Sequence, residues 1–100
     1  NCPQERADAI AVAVVEEGLA ACVNIVTGVR SLYQWKGELV RDVEDTLILK
    51  VGVDGVERLR ERLVQLHPYE VPEVVVLSVD AESSHRPYVD WVRAASHTQR

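Results

Sequence analysis

One hundred residues, 47% of them apolar, with a formal charge of −5, describe a single domain with a real but modest core. That apolar content excludes intrinsic disorder, and no apolar run approaches the ~20 residues of a membrane span. The acidic balance argues against a nucleic-acid partner held through its phosphates, and it is compatible with metal cations as partners.

Phe and Met are absent, so Val, Leu and Ala fill the core, with two Trp and three Tyr as the large pieces. A chain without Met reads as processed, or as beginning mid-protein. Cys2 and Cys22 show neither the CxxC spacing nor the Cys/His clustering of a structural zinc site. With this much apolar content no disulfide is needed, and the expectation is a reduced, cytoplasmic protein.

Pro3 opens the first predicted helix, where a missing N–H costs nothing. Ala7, Ile10, Ala11 and Val14 follow at the spacing of one buried helical face, and Gly18 is the expected stop. Glu16 and Glu17 sit badly with the dipole at that end, so tertiary packing has to hold it.

From Ala20 to Val53 the pattern becomes strand. Val23, Ile25, Val29, Leu32, Tyr33 and Trp35 form one arm, and Lys36-Gly37 is the turn of a hairpin. Leu39 and then Thr46 to Val51 form the return, while Gly28 marks a bulge or bend. Arms longer than the usual strand of about 5–6 residues project beyond a compact monomer, a liability unless something pairs with them.

Asp54 and Glu57 resemble a capping box, and Val56, Leu59, Leu63 and Leu66 continue as a helical stripe. Then comes the densest signal in the chain, Leu66-His67-Pro68-Tyr69-Glu70-Val71-Pro72-Glu73. Each proline biases its predecessor away from helix, so the connection is stiff and its polar side chains are held in place. Glu73 to Val79 reads as a strand with both faces buried. Asp80 to Arg86 is a polar loop, and Pro87 opens a last helix whose face is Tyr88, Trp91, Val92 and Ala95. Residues 1–95 form the ordered core of a single 1–100 domain, and 96–100 a polar tail. The order helix, strand, strand, helix, strand, helix is α+β. It fits a ferredoxin-like β-α-β-β-α-β unit with its first strand largely absent and a C-terminal helix added.

The chemistry-bearing residues each have two readings. The His67 imidazole suits copper or zinc, or bonds carbonyls at a helix end. Cys22 alternates with Asn24 on a strand and is either a small buried hydrophobe or a reactive thiol, the latter requiring a cation such as Lys50 on the partner strand. Cys2 is a metal or redox thiol if the start of the chain is exposed. Lys50 and Glu73, charged residues beside apolar strands, fit a buried ion pair or the polar floor of a pocket. There is no phosphate loop, HExxH or nucleophile elbow. A Cys22–His67–Glu73 set is the remaining catalytic reading, well behind a non-enzymatic one.

Four blocks carry a resemblance: Ala20-Ala21-Cys22-Val23-Asn24-Ile25, Ser31-Leu32-Tyr33-Gln34-Trp35-Lys36-Gly37, His67-Pro68-Tyr69-Glu70-Val71-Pro72-Glu73 and Tyr88-Val89-Asp90-Trp91. In order and spacing they resemble the divalent-cation tolerance family CutA, over nearly the whole chain. The resemblance implies a homotrimer whose long hairpins pair between subunits, a link to copper and other divalent cations, and a fold similar to the PII signalling proteins. An inter-subunit cleft of Cys22, Tyr33, Trp35, Lys50, His67, Tyr69, Glu73 and Trp91 is the corresponding small-molecule site. The chain departs from a familiar bacterial copper pattern at two places. Leu66-His67 stands where that pattern has paired histidines, and Cys2 lies one residue before Pro3 where the pattern has a cysteine three before. Of that pattern only His67 carries over, as a weak or transient copper site, and donor chemistry adds Cys2 as the second ligand, with Glu73 or Cys22 as conditional partners. A four-stranded sheet further requires roughly 6–12 residues upstream of Asn1, by ordinary strand length, rich in Val, Ile and Leu.

Overall fold

The computed structural model describes residues 1–68 and 72–96. Helix α1 spans Gln4–Glu16 with Pro3 as its N-cap, one residue outside the expected first helical position. Ala7, Ile10, Ala11 and Val14 are its buried residues, as their spacing predicts. Gly18, at φ 74°, reverses the chain. The Leu19 N–H then bonds the Val14 carbonyl at 2.9 Å and the Gly18 N–H bonds that of Val15 at 3.1 Å. This is a Schellman closure, and Leu19 and Val14 supply its apolar contact inside the core. The misplaced negative charge at this end has a partner: Arg62 of the second helix grips both oxygens of Glu17 at 2.9 Å.

Strands β1 (Cys22–Trp35) and β2 (Glu38–Lys50) form a two-stranded antiparallel sheet. Lys36 (φ 52°) and Gly37 (φ 82°) are both left-handed, which matches the twist of the flanking strands in a two-residue turn. The register runs from Trp35 opposite Glu38 to Cys22 opposite Lys50, with one break between Val26 and Val29. There β1 carries an extra residue, Gly28 takes φ 71°, and its N–H reaches the Asp45 carboxylate at 3.4 Å. Cys2 bridges the other edge of β2, exchanging two 2.9 Å backbone bonds with Asp45.

Val53–Gly55 is a turn of 3-10 helix leading into α2, Val56–Leu66. The Asp54–Glu57 capping box does not form: Gly55 is the N-cap and no side chain caps it. Asp54 lies inside the 3-10 turn, two residues ahead of α2, where its carboxylate is out of position. Leu59 and Leu63 are buried and Leu66 packs beside them, whereas Val56 is only half-buried. The core is therefore Cys2, α1, Leu19, Ala20 and α2 laid over the sheet face of Val23, Ile25, Leu47 and Leu49.

Three expectations fail in the second half. Residues 72–80 make no ladder among the described residues, and only Val74 reaches the core. Val75, Val76, Leu77 and Val79 are exposed rather than buried on two faces, because no described strand lies alongside them. Helix α3, Arg86–Ala95, begins one residue before Pro87 and leaves Tyr88 and Trp91 half-exposed, with Val89, Val92 and Ala95 as its more covered residues. Ser96, expected in a polar tail, is 2% exposed; its hydroxyl accepts from the Gly52 N–H (2.8 Å) and donates to the Val92 carbonyl (2.5 Å). A hydroxyl bonded twice in this way anchors the end of α3 against the turn before α2. No helix among the described residues is long and apolar enough to cross a membrane.

Candidate functional site

His67 caps α2. Its N–H closes on Leu63 at 2.9 Å and its ψ of 134° leaves the helical region, as Pro68 requires. The ring then points to the start of the chain, where Nε2 donates to the Asn1 carbonyl at 2.6 Å. A carbonyl only accepts, so this contact assigns a proton to Nε2. Asn1 is held in turn by Thr46, whose hydroxyl donates to its side-chain oxygen at 2.6 Å. The helix-end reading of His67 is thus realised with a carbonyl from another segment, and one corner gathers His67, Asn1, Thr46 and the Cys2–Asp45 bridge.

Cys2 is 1% exposed, so the exposed start on which its metal or redox reading depends is not what the structure presents. Burial pushes its thiol up from the ordinary value, and the negative charges of Asp45, Glu44 and Glu5 act in the same direction. At neutral pH it is a protonated thiol inside the core. Glu73 is exposed on the unladdered segment. The ammonium of Lys50 goes instead to the side-chain oxygen of Asn24 and lies 3.9 Å from the Cys22 sulfur. The cross-strand cation expected beside Cys22 is therefore in place, while a buried Lys50–Glu73 pair is not formed.

Tyr33 and Trp35 are far from the Cys22–Lys50 pair. Cys22 to Trp35 is thirteen steps of strand, about 40 Å at ~3.3 Å each, along a molecule 45 Å in its longest extent. The Tyr33 hydroxyl donates to Asp42 at 2.7 Å, a bond that raises its pKa above the usual phenol value. The Lys36 ammonium lies 5.9 Å from the centre of the Trp35 ring. Trp91 stacks at a tilt on Tyr88 with ring centres 5.7 Å apart. Tyr69 lies outside the described residues. One chain thus brings together Cys22 with Lys50, and His67 with the Cys2 segment, and holds Tyr33 and Trp35 apart from both.

Register places the separated groups on one surface. Cys22 and Lys50 are directly paired, as are Tyr33 with Val40 and Trp35 with Glu38. Alternation along uninterrupted β2 puts Lys50, Val40 and Glu38 on the same face, the one turned away from the helices. The extra residue at Gly28 is what lets odd-numbered Tyr33 and Trp35 share that face with even-numbered Cys22. Among the described residues, no group of three or more His, Cys, Asp and Glu side chains is placed to hold a metal ion. An open depression between α3 and the 3-10 turn, lined by Gly52, Asp54, Asp90, Arg93 and Ser96, contains none of the expected site residues.

Sequence reasoning missed Asn24 and Asp45. Asn24 was signalled by its alternation with Cys22. Asp45, a carboxylate inside a β-rich run, carried no local signal of the bulge it supports.

Residues 1–95 match the family CutA1, divalent ion tolerance protein. A divalent-cation tolerance protein CutA from Thermus thermophilus is 49% identical over 90 residues, which cover 90% of this chain and 85% of that protein. Human protein CutA is 42% identical over 99 residues, and there the chain spans only 54% of its relative's length. Among solved structures, an apo PII-like CutA from Nostoc superposes with a TM-score of 0.93 at 47% identity, covering 96% of this chain and 91% of that one.

Proposed function

Because this chain belongs to the CutA1 divalent ion tolerance family, we propose that it acts in cation homeostasis, as a non-enzymatic homotrimer that binds copper weakly or transiently. The observation that carries the copper reading is His67. Its ring is fixed by a bond from Nε2 to a backbone carbonyl, the kind of outer contact that orients metal-binding histidines. Imidazole and thiol donors favour copper over magnesium or calcium. The donors of one chain fall short of a closed site, because Cys2 is a buried, protonated thiol and Glu73 stands apart on an exposed segment. That shortfall is the reason for weak binding. The two free cysteines fit a reducing, cytoplasmic setting.

The trimer and the ferredoxin-like assignment rest on the hairpin and on the Cys2 bridge. A sheet whose long arm, among the described residues, has open edges beyond the Cys2 bridge and apolar side chains on both faces is suited to pairing with further copies. Sedimentation equilibrium is expected to give a trimer at micromolar concentration, and a monomer there overturns this part. Titration calorimetry with Cu²⁺ is expected to give weak binding that His67→Ala reduces at least about tenfold. Unchanged affinity in the variant removes His67 from the site.

A second reading is favoured by the split face. Tyr33 and Trp35 share a sheet surface with Cys22 and Lys50 but sit about 40 Å away along the arm, so only neighbouring copies bring the two sets together. In this reading the trimer is a PII-like sensor that holds a small molecule in inter-subunit clefts. The aromatics provide area and Lys50 orients an anionic group. A thermal-shift screen of anionic metabolites separates the readings. Stabilisation abolished by Lys50→Ala and indifferent to His67→Ala supports the sensor, and a response to copper alone counts against it.

A further inference from the structure

The end of α3 is locked against the turn that precedes α2. The Ser96 hydroxyl takes the Gly52 N–H at 2.8 Å, and the glycines of the turn let the two backbones close up. A Cβ at Gly52 would stand 3.4 Å from the Arg93 Cα, and one at Gly55 would stand 3.2 Å from the Ser96 carbonyl oxygen. Beside this contact lies a depression of about 580 Å³, within the ~300–1,000 Å³ usual for small-molecule clefts. Ser96 and both glycines line it, so its walls are fixed relative to one another. Three ionised side chains line it as well. Asp54 comes from the 3-10 turn, while Asp90 and Arg93, three residues apart, come from one face of α3. Elsewhere on the helices a charged group finds partners, as Arg62 does in Glu17 and Gln65. Among the described residues, the side chains of Asp54, Asp90 and Arg93 take no hydrogen bond or ion pair.

We propose that this depression binds a small zwitterion, a free α-amino acid with an aliphatic side chain. The Arg93 guanidinium takes the carboxylate through paired N–H donors. Asp54 and Asp90, from opposite walls, take the ammonium, and Val53 and Ala94 offer apolar contact to the side chain. The arrangement needs both charges of the ligand. A phosphate suits Arg93 but is repelled by the two carboxylates. A bare divalent cation suits the carboxylates but is repelled by Arg93. Calcium or magnesium also takes about six or more oxygens, and no third acidic group among the described residues completes such a shell. The site shares no residue with the His67 corner or the Cys22–Lys50 face, so it stands independently of the copper and cleft readings.

Titration calorimetry and thermal shift on the full chain test this with L-valine as the probe. Beside it stand N-acetyl-L-valine, which lacks the ammonium, and L-valinamide, which lacks the carboxylate. L-valine is expected to bind at millimolar concentration and to raise the melting temperature, and each analogue to bind at least about tenfold more weakly. Arg93→Gln, and separately Asp54→Asn with Asp90→Asn, are each expected to weaken L-valine binding at least about tenfold, with an unchanged far-UV circular dichroism spectrum. Arg86→Gln, the same change at the far end of α3 and outside the depression, is expected to leave binding unaltered. The analogues test the proposal on the unaltered chain whatever the variants do to folding. Failure of L-valine to bind, binding that survives both sets of substitutions, or an analogue that matches L-valine each overturns it.

Discussion

Below Gly28 and above it, the hairpin is built from the same alternating pattern, yet the two halves have different fates. In the lower half Val23, Ile25, Leu47 and Leu49 lie under α1 and α2 and belong to the core. In the upper half Leu32, Leu39 and Val43 continue that face and are exposed, with none of the described elements over them. Backbone pairing is the same in kind, so the difference lies wholly in what covers the sheet. The lower half draws its stability from within the chain. The upper half has apolar area whose burial is worth about 25 cal/mol per Å² only when another surface arrives.

The largest test of this contrast is Ile10→Ala, at 2% exposure under the helical layer. It is expected to cost about 2–4 kcal/mol in urea unfolding. Leu39→Ala, at 58% exposure, is expected to cost the isolated chain no more than about 0.5 kcal/mol, and to weaken self-association instead. Comparable losses of intrinsic stability at the two sites break the comparison.

At the boundary between the halves, Gly28→Val forces a branched side chain into φ 71°. No atom lies within 4 Å of the added Cβ, so the cost is conformational, about 1–2 kcal/mol. A midpoint unchanged in urea shows that the bulge has relaxed. Arg62→Ala in the helical layer over the lower half removes the grip of α2 on Glu17 at the end of α1. Both side chains are over a third exposed (35% and 37%), so screening leaves about 0.5–1 kcal/mol, shrinking with added salt.

Titration sharpens the contrast further. The thiol of Cys2 has a folded pKa above its ordinary value of 9.0. Its contribution to stability is complete below that value and is lost as pH rises through the folded pKa, since only the unfolded chain releases its proton in between. Alkaline unfolding is therefore expected to steepen above pH 9 and to flatten in Cys2→Ala. Iodoacetamide, read by mass spectrometry, is expected to modify half-buried Cys22 before Cys2. Smallest of all is Tyr33→Phe in the arm, which removes an exposed bond to Asp42. It is expected to leave the unfolding midpoint unmoved while abolishing the high-pH tyrosinate transition assigned to that residue.

What the sequence made legible was local. The α1 face follows from period 3.6, and Gly18, Gly28 and Lys36-Gly37 were placed by the need for positive φ or a turn. Non-local relations were not legible. Val74 to Leu77 has strand composition, but a strand is a pairing, and composition names no partner. Asp54 and Glu57 have the spacing of a capping box, yet the chain first takes a 3-10 turn over Val53–Gly55, which puts Gly55 and not Asp54 at the N-cap. On α3 the pattern places Val92 and Ala95 on the covered side as found, but Val89 is covered there while Tyr88 and Trp91 are exposed, because Tyr88-Trp91 and Val89-Val92 have the same periodicity. In the candidate site, the position of His67 followed from Pro68, while the burial of Cys2 depended on residues more than forty positions away.

The left-handed pair at Lys36-Gly37 bears on how the molecule forms as well as on its final shape. Trp35 and Glu38 are three residues apart in sequence, and each further rung of the arm closes with almost no added loop. Hairpins of this kind zip in about 1–10 microseconds. The contacts of α1 and α2 with the base span longer stretches of chain and come later. The pairing of the arm is thus available before the base that carries it is complete, although an isolated two-stranded hairpin is only marginally stable until something packs on it. Where copies meet through their arms, as proposed above, the speed of the turn makes the order of folding and association a matter of protein concentration.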